Sequence, residues 1–78
     1  KILDNRAEAL EFAIKPDCPV NDIPLMNLNL RNNLLVCCIN RKGSIIIPRG
    51  QDTIKPGDTV MVVTTENGLR DISDIVKK

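Results

Sequence analysis

Few residues of this sequence could take part in chemistry. It contains no histidine and no tyrosine, which leaves scattered carboxylates, lysines and three cysteines for acid–base or nucleophilic catalysis. Such catalysis needs paired groups with shifted pKa values in a cleft. Asp52 and Asp58 flank one loop, but we expect Asp58 to hydrogen-bond the backbone of its own turn. The sequence therefore predicts a domain without catalytic residues, which is not an enzyme.

The cysteines follow no pattern that is typical of a disulfide framework or a zinc site. Their number is odd, and no histidine is present to complete a ligand set or to activate Cys18 in its proline-flanked loop. Cys37 and Cys38 are adjacent in an apolar run, so strand alternation predicts side chains on opposite faces. Free cysteine commonly packs as a small hydrophobic residue. We expect no metal site and a cytosolic location.

Arg49 is the basic residue best placed to bind a ligand. It lies in the break Pro48-Arg49-Gly50, where its guanidinium could hold a phosphate or a carboxylate. A solvated loop arginine is the alternative interpretation. The other basic residues are scattered, the formal net charge is +1, and Phe12 is the only aromatic residue. This composition argues against a nucleic-acid-binding protein.

The length of 78 residues is that of one small domain. No apolar run approaches the roughly 20 residues that a membrane-spanning helix needs. The sequence begins at Lys1 rather than methionine, and we expect it to be a fragment or an excised domain. We interpret residues 1–6 as the end of a linker and residues 7–78 as the domain.

Hydrophobic patterning predicts four strands. In the first, Leu10, Phe12 and Ile14 alternate with polar or small residues. At the centre of the chain, Lys55-Pro56-Gly57-Asp58 has the composition of a type II turn, which would lead directly into the fourth strand. The predicted strands are Ala7–Ile14, Leu34–Asn40, Ile45–Ile47 and Thr59–Thr65, with a hairpin at Arg41–Ser44 between the second and third.

Two helices are predicted to accompany these strands. Asp22 is the expected N-cap of a short helix from Ile23 to about Leu28, with Pro24 in its first turn. Thr64 or Thr65 is expected to cap a C-terminal helix. Its apolar residues follow helical spacing at Leu69, Ile72, Ile75 and Val76.

The predicted fold is therefore an α+β domain of order β-α-β-β-β-α, with a mostly antiparallel sheet and helices on one face. Several strands are apolar at every position, so both sheet faces need cover, and two helices can cover only one. We expect the second face to be covered by an identical chain in a homodimer. A monomer whose strands are covered internally is the alternative.

The central stretch carries a family resemblance. An Ile-Pro element followed by Ile54-x-x-Gly57-Asp58-x-Val60-x-Val62 resembles the C-terminal module of the TrkA/RCK family, and the resemblance extends from about Ala7 to Val76. These proteins are cytoplasmic regulators of bacterial potassium uptake systems and related channels. In the family a dinucleotide-binding unit precedes this module. No Gly-x-Gly-x-x-Gly motif follows a strand here, so NAD or ATP would bind a separate upstream domain.

The resemblance also implies ligand-binding residues. Some members bind cyclic di-AMP between two modules, and Leu25-Met26-x-x-Asn29-x-Arg31 followed by Asn33 resembles their motif. Asn29 replaces an acidic residue, and one residue separates Arg31 from Asn33 where the family has a longer interval. Structural roles for these residues are the alternative, and we expect cyclic di-AMP to bind weakly or not at all. The candidate ligand residues are Asn29, Arg31, Asn33 and Arg49.

Together these features predict a regulatory and oligomerisation module of a potassium uptake system, cytoplasmic and peripheral to the membrane. Its expected partners are a second copy and a potassium transporter or channel subunit. Two alternatives remain. One is a ligand-sensing domain of another transporter or a transcriptional regulator, and the other is a dimerisation domain with no ligand.

Overall fold

The sheet has four antiparallel strands. The computed structural model describes residues 7–65 and 68–77, so the predicted linker end at residues 1–6 lies outside the described residues. The strands are β1 (Glu8–Ala13), β2 (Leu34–Arg41), β3 (Ser44–Ile46) and β4 (Thr59–Thr64). Their order across the sheet is β1-β4-β2-β3, and each neighbouring pair is antiparallel. The prediction of a mostly antiparallel sheet is confirmed.

Two turns set the strand register. Lys42 and Gly43 both have positive φ, 53° and 85°, as a two-residue hairpin turn of type I′ requires between β2 and β3. The predicted turn before β4 is also present. Gly57 has a φ of 89°, and the amide of Asp58 donates to the carbonyl of Lys55 at 3.1 Å.

One face of the sheet forms the hydrophobic core. In β4, Val60 and Val62 are buried, whereas Met61 and Val63 on the opposite side are only half-buried. The loops and helical turns pack against the same buried face. The buried core comprises Ile14, Val20, Leu25, Val36, Ile39, Ile54, Val60, Val62, Ile72 and Ile75. We call the opposite side of the sheet the open face.

A β-bulge in β2 changes the predicted orientation of the cysteines. Val36 and Ile39 are three residues apart and both are buried in the core. The register shifts between Val36 and Cys38, so that Cys37 and Cys38 together oppose Met61. Both cysteines therefore lie on the open face, half-buried, and the prediction of opposite faces is wrong.

The first predicted helix is a single 3-10 turn, Leu25–Asn27. Asp22 is not its N-cap, because Asp22 has a φ of 62° and its amide donates to the carbonyl of Ile54 at 2.8 Å. Pro24 precedes the turn in an extended conformation, with ψ at 138°. The amide of Leu25 donates a hydrogen bond to the backbone carbonyl of Asp52 in the 49–52 loop. This tertiary contact takes the place of further helical structure.

The second predicted helix is also a short 3-10 turn, Ile72–Ile75. Thr64 belongs to β4, and the cap is Asp71, whose carboxylate accepts from the amide of Ser73 at 3.3 Å. Ile72 and Ile75 are buried, as their spacing predicts. Neither 3-10 turn in the described part of the chain is long and apolar enough to cross a membrane.

Candidate ligand-binding site

Arg31 fastens the middle of the chain to its C-terminal segment. Its Nε donates to the carbonyl of Asp74 at 2.5 Å, and its amide donates to the carbonyl of Ile75 at 2.9 Å. Leu30 and Val76 form an antiparallel bridge beside these bonds. A guanidinium at the end of a helical turn satisfies carbonyls that have no partner within the turn. The role that the structure shows for Arg31 is therefore structural.

Asn29 and Asn33 flank this connection. The carbonyl of Asn29 accepts from the amide of Lys77 at 2.7 Å, which continues the same C-terminal contact. The carbonyl of Asn33 accepts from the hydroxyl of Thr64 at 2.8 Å and from the amide of Thr65 at 3.1 Å. Both asparagines are exposed. The structure thus places three of the four candidate residues on one short connection, where their backbones join neighbouring elements.

Arg49 lies in a different loop, after β3. Its amide donates to a carboxylate oxygen of Asp52 at 2.7 Å, and its carbonyl accepts from the amide of Asp52 at 3.0 Å, so the loop closes on itself. The residue is exposed. The adjoining carbonyl of Gly50 accepts from the amide of Met26 at 2.9 Å, which places the loop against the first 3-10 turn.

An apolar cavity of about 330 Å³ adjoins the connection that carries Asn29. Most of the lining residues are aliphatic, and Ser73 and Lys77 are the polar ones. Its lining residues are Pro19, Val20, Ile23, Leu28, Ser73, Val76 and Lys77. Such a cavity can accept an apolar group, and Lys77 can meet an anionic group at its edge.

The best-paired charges of the domain lie elsewhere, between Arg41 and Asp58. Arg41 donates from Nε to one Asp58 oxygen at 2.9 Å and from Nη2 to the other at 2.8 Å. The amide of Lys55 also donates to Asp58, at 2.8 Å, as the turn chemistry predicts. The hydrogen bond from Arg41 is the main cause that holds the pKa of Asp58 below its usual range, although burial opposes it.

Sequence reasoning identified the turn role of Asp58 but missed its partner Arg41. The strand register sets the two residues beside each other. Asn40 pairs with Thr59, and Arg41 and Asp58 are the next residues along the two strands. This pair is not a solvent-facing site, since the side chain of Asp58 is 1% exposed. Arg41 also donates to the carbonyl of Thr53 at 3.0 Å, so the pair ties the hairpin to the 53–58 loop.

Large apolar side chains are exposed at the edge of the sheet. Met26, Ile45 and Ile47 have exposed fractions of 67%, 61% and 71%. Ile45 lies in the edge strand β3, Ile47 follows that strand, and Met26 lies against the loop that continues from it. We call these three residues the β3-edge patch. An exposed apolar patch is a candidate surface for contact with another protein.

The sequence of this domain matches the model of a known protein family. The model of the TrkA-C domain matches residues 9–77. The chain belongs to the TrkA-C domain family. The match begins within β1 and spans the other three strands and both 3-10 turns, so the resemblance seen in the central motif is confirmed over nearly the whole domain.

Relatives of this TrkA-C domain are potassium uptake proteins. A Trk system potassium uptake protein TrkA homolog from Pyrococcus abyssi is 30% identical over 73 residues, which are 92% of this chain and 32% of that protein. The Trk system potassium uptake protein TrkA homolog 2 from Methanosarcina mazei is 31% identical over 70 residues, 90% of this chain and 16% of that protein. The chain thus spans a third or less of the length of these relatives.

A solved structure shares the fold. A structure of an RCK domain with cda matches at a TM-score of 0.70 and 17% sequence identity, and the match covers 88% of this chain and 97% of that one. Because nearly all of the solved chain is covered, the two share a common architecture of similar size.

Proposed function

We propose that this TrkA-C domain is a regulatory module of a potassium uptake system, positioned in the cytoplasm beside a membrane transporter. The relatives named as Trk system potassium uptake proteins support the assignment to potassium transport. The module carries no catalytic step in this proposal. Binding of NAD or ATP, where the system uses it, belongs to another domain.

The module acts by pairing with a second copy. The observation that supports this is the β3-edge patch, in which three large apolar side chains are more than half exposed. Within residues 7–65 and 68–77, β3 pairs only with β2, so its other side is an edge that a second β3 can join about a two-fold axis. Pairing there would cover both the apolar side chains and the strand edge.

Regulation follows if two arrangements of the pair differ in their effect on the transporter. A small ligand can shift the balance between them only by binding one arrangement more tightly than the other. The RCK domain that shares this fold was solved with cda, and in this proposal a bound ligand is the input. The apolar cavity beside Asn29 has room for part of such a ligand.

The test measures potassium uptake by cells that depend on the protein carrying this module. The double variant Ile45→Asp and Ile47→Asp places charge in the β3-edge patch, and we expect it to abolish regulation of uptake. Leu35→Asp is the matched control, because Leu35 is 62% exposed but pairs with Val63 of β4 and lies at the other end of β2 from the residues that pair with β3. Regulated uptake that survives the double variant would contradict the proposed function. A change in transcription without a change in potassium flux would also contradict the proposed function.

A further inference from the structure

Two cysteine thiols lie side by side on the open face, outside every site described above. The bulge in β2 sets both Cys37 and Cys38 opposite Met61 and turns both away from the core. Both are half-buried and free. Adjacent thiols that share a face can bind one thiophilic atom together, which alternating strand residues cannot do.

A third sulfur faces this pair across the sheet. Met61 in β4 is the residue that directly opposes Cys38, and it is half-buried on the open face. On its other side Met61 pairs with Glu11 of β1. Burial, Cys37 and the nearby Glu11 carboxylate raise the pKa of the Cys38 thiol.

The ligand chemistry of these residues indicates the kind of ion. Two thiols and a thioether are soft donors, and soft sulfur ligands favour copper(I) or zinc over magnesium or calcium. Zinc prefers four ligands, usually with cysteine or histidine at each position. In residues 7–65 and 68–77, no three histidine, cysteine, aspartate or glutamate side chains gather to hold a metal. A three-sulfur set suits an ion of low coordination number.

We propose that Cys37, Cys38 and Met61 bind one copper(I) ion on the open face of the sheet. Binding replaces two S–H bonds with two Cu–S bonds and releases two protons to solvent. Met61 donates a lone pair from its thioether and loses no proton. Copper remains in the +1 state throughout, so the step requires no oxidant or reductant.

The experiment adds copper(I), without oxygen, to the reduced chain in competition with a coloured copper(I) chelator. We expect the protein to remove one copper(I) per chain from the chelator and to release two protons. Cys37→Ser and Cys38→Ser should each lose this binding. Met61→Leu keeps the side-chain volume and should weaken the affinity without changing the stoichiometry.

Cys18→Ser is the matched control, because Cys18 packs beside the core rather than on the open face. We expect this variant to bind copper(I) as the unmodified chain does, with all variants first checked for an unchanged circular dichroism spectrum. Three results would overturn the proposal. They are copper(I) remaining with the chelator, full binding by Cys37→Ser, and unchanged affinity in Met61→Leu. The outcome is independent of the potassium-uptake test, because the β3-edge variants leave all three sulfur residues in place.

Discussion

Asp58 connects several elements of this small domain through its carboxylate and its backbone carbonyl. Its side chain is 1% exposed and accepts from Arg41 and from the amide of Lys55. A buried charge is tolerated only when it is paired and hydrogen-bonded. Its carbonyl also accepts from the amide of Ile14 at 2.9 Å, so one residue joins the ends of β1, β2 and β4.

This arrangement predicts acid sensitivity. The folded-state pKa of Asp58 lies below its usual value, so the pair stabilises the fold above the ordinary carboxylate pKa of about 4, and this contribution is lost as pH falls through the folded value. Asp58→Asn should lower the free energy of unfolding by about 3 kcal/mol at neutral pH. This value is the low end of the range for breaking a buried ion pair, because Arg41 is 30% exposed. Denaturant unfolding should show this difference shrinking below about pH 4. A difference in the free energy of unfolding that stays constant with pH would contradict this prediction.

Arg31 yields a second prediction at the same scale. Its Nε is bonded to the carbonyl of Asp74, so ligand binding through this guanidinium would compete with a structural contact. We expect no thermal stabilisation by cyclic di-AMP, and we expect Arg31→Ala to lower the melting temperature with or without that ligand. Asn29→Ala is the control, since the observed Asn29 contact uses its backbone carbonyl. A cyclic di-AMP shift that disappears in Arg31→Ala would show that the site is functional.

At the scale of elements, the sequence predicted the strands better than the helices. Alternation of apolar residues and the Pro56-Gly57 turn depend on neighbours within each strand, so β1 and β4 were placed within one or two residues. The helical spacing of Ile72 and Ile75 also predicted their burial. The extent of the helices depended on distant backbone groups, such as Asp52 bonding to Leu25, which no local pattern reveals.

The candidate site, like the elements, was predictable from the sequence only in part. The family motif brought Asn29, Arg31 and Asn33 to attention, and the structure places them on one connection. The motif could not show that Arg31 is bonded to Asp74, because the two residues are 43 positions apart. Similarly, alternation failed at Cys37 because a bulge changes the strand period without a clear mark in the sequence.

The cap of the second 3-10 turn gives a prediction for an element. Asp71 accepts from the amide of Ser73 and, at 2.6 Å, from its hydroxyl, and Ser73 lowers the pKa of Asp71. Asp71→Ala should lower the free energy of unfolding, because the turn loses its N-cap. Asp17→Ala, at an exposed loop position, is the control for removing one negative charge. Equal stability of the two variants in denaturant unfolding would show that the cap does not stabilise the turn.

At the scale of the whole molecule, the uncovered surface is the feature that connects fold to function. The helical turns and loops cover one sheet face, while Leu35 and the β3-edge patch remain exposed. A domain of 78 residues buries only about 60% of its unfolded surface, so association would add to its stability. Pairing along β3 would bury apolar side chains and complete the hydrogen bonding of an edge strand.

Sedimentation of the reduced chain at micromolar concentration tests this central claim most directly. We predict a species of twice the 8.7 kDa chain mass. The double variant Ile45→Asp and Ile47→Asp should sediment as a single chain, whereas Leu35→Asp should remain paired. A clean 8.7 kDa species for the unmodified chain, or pairing that survives the double variant, would contradict the account.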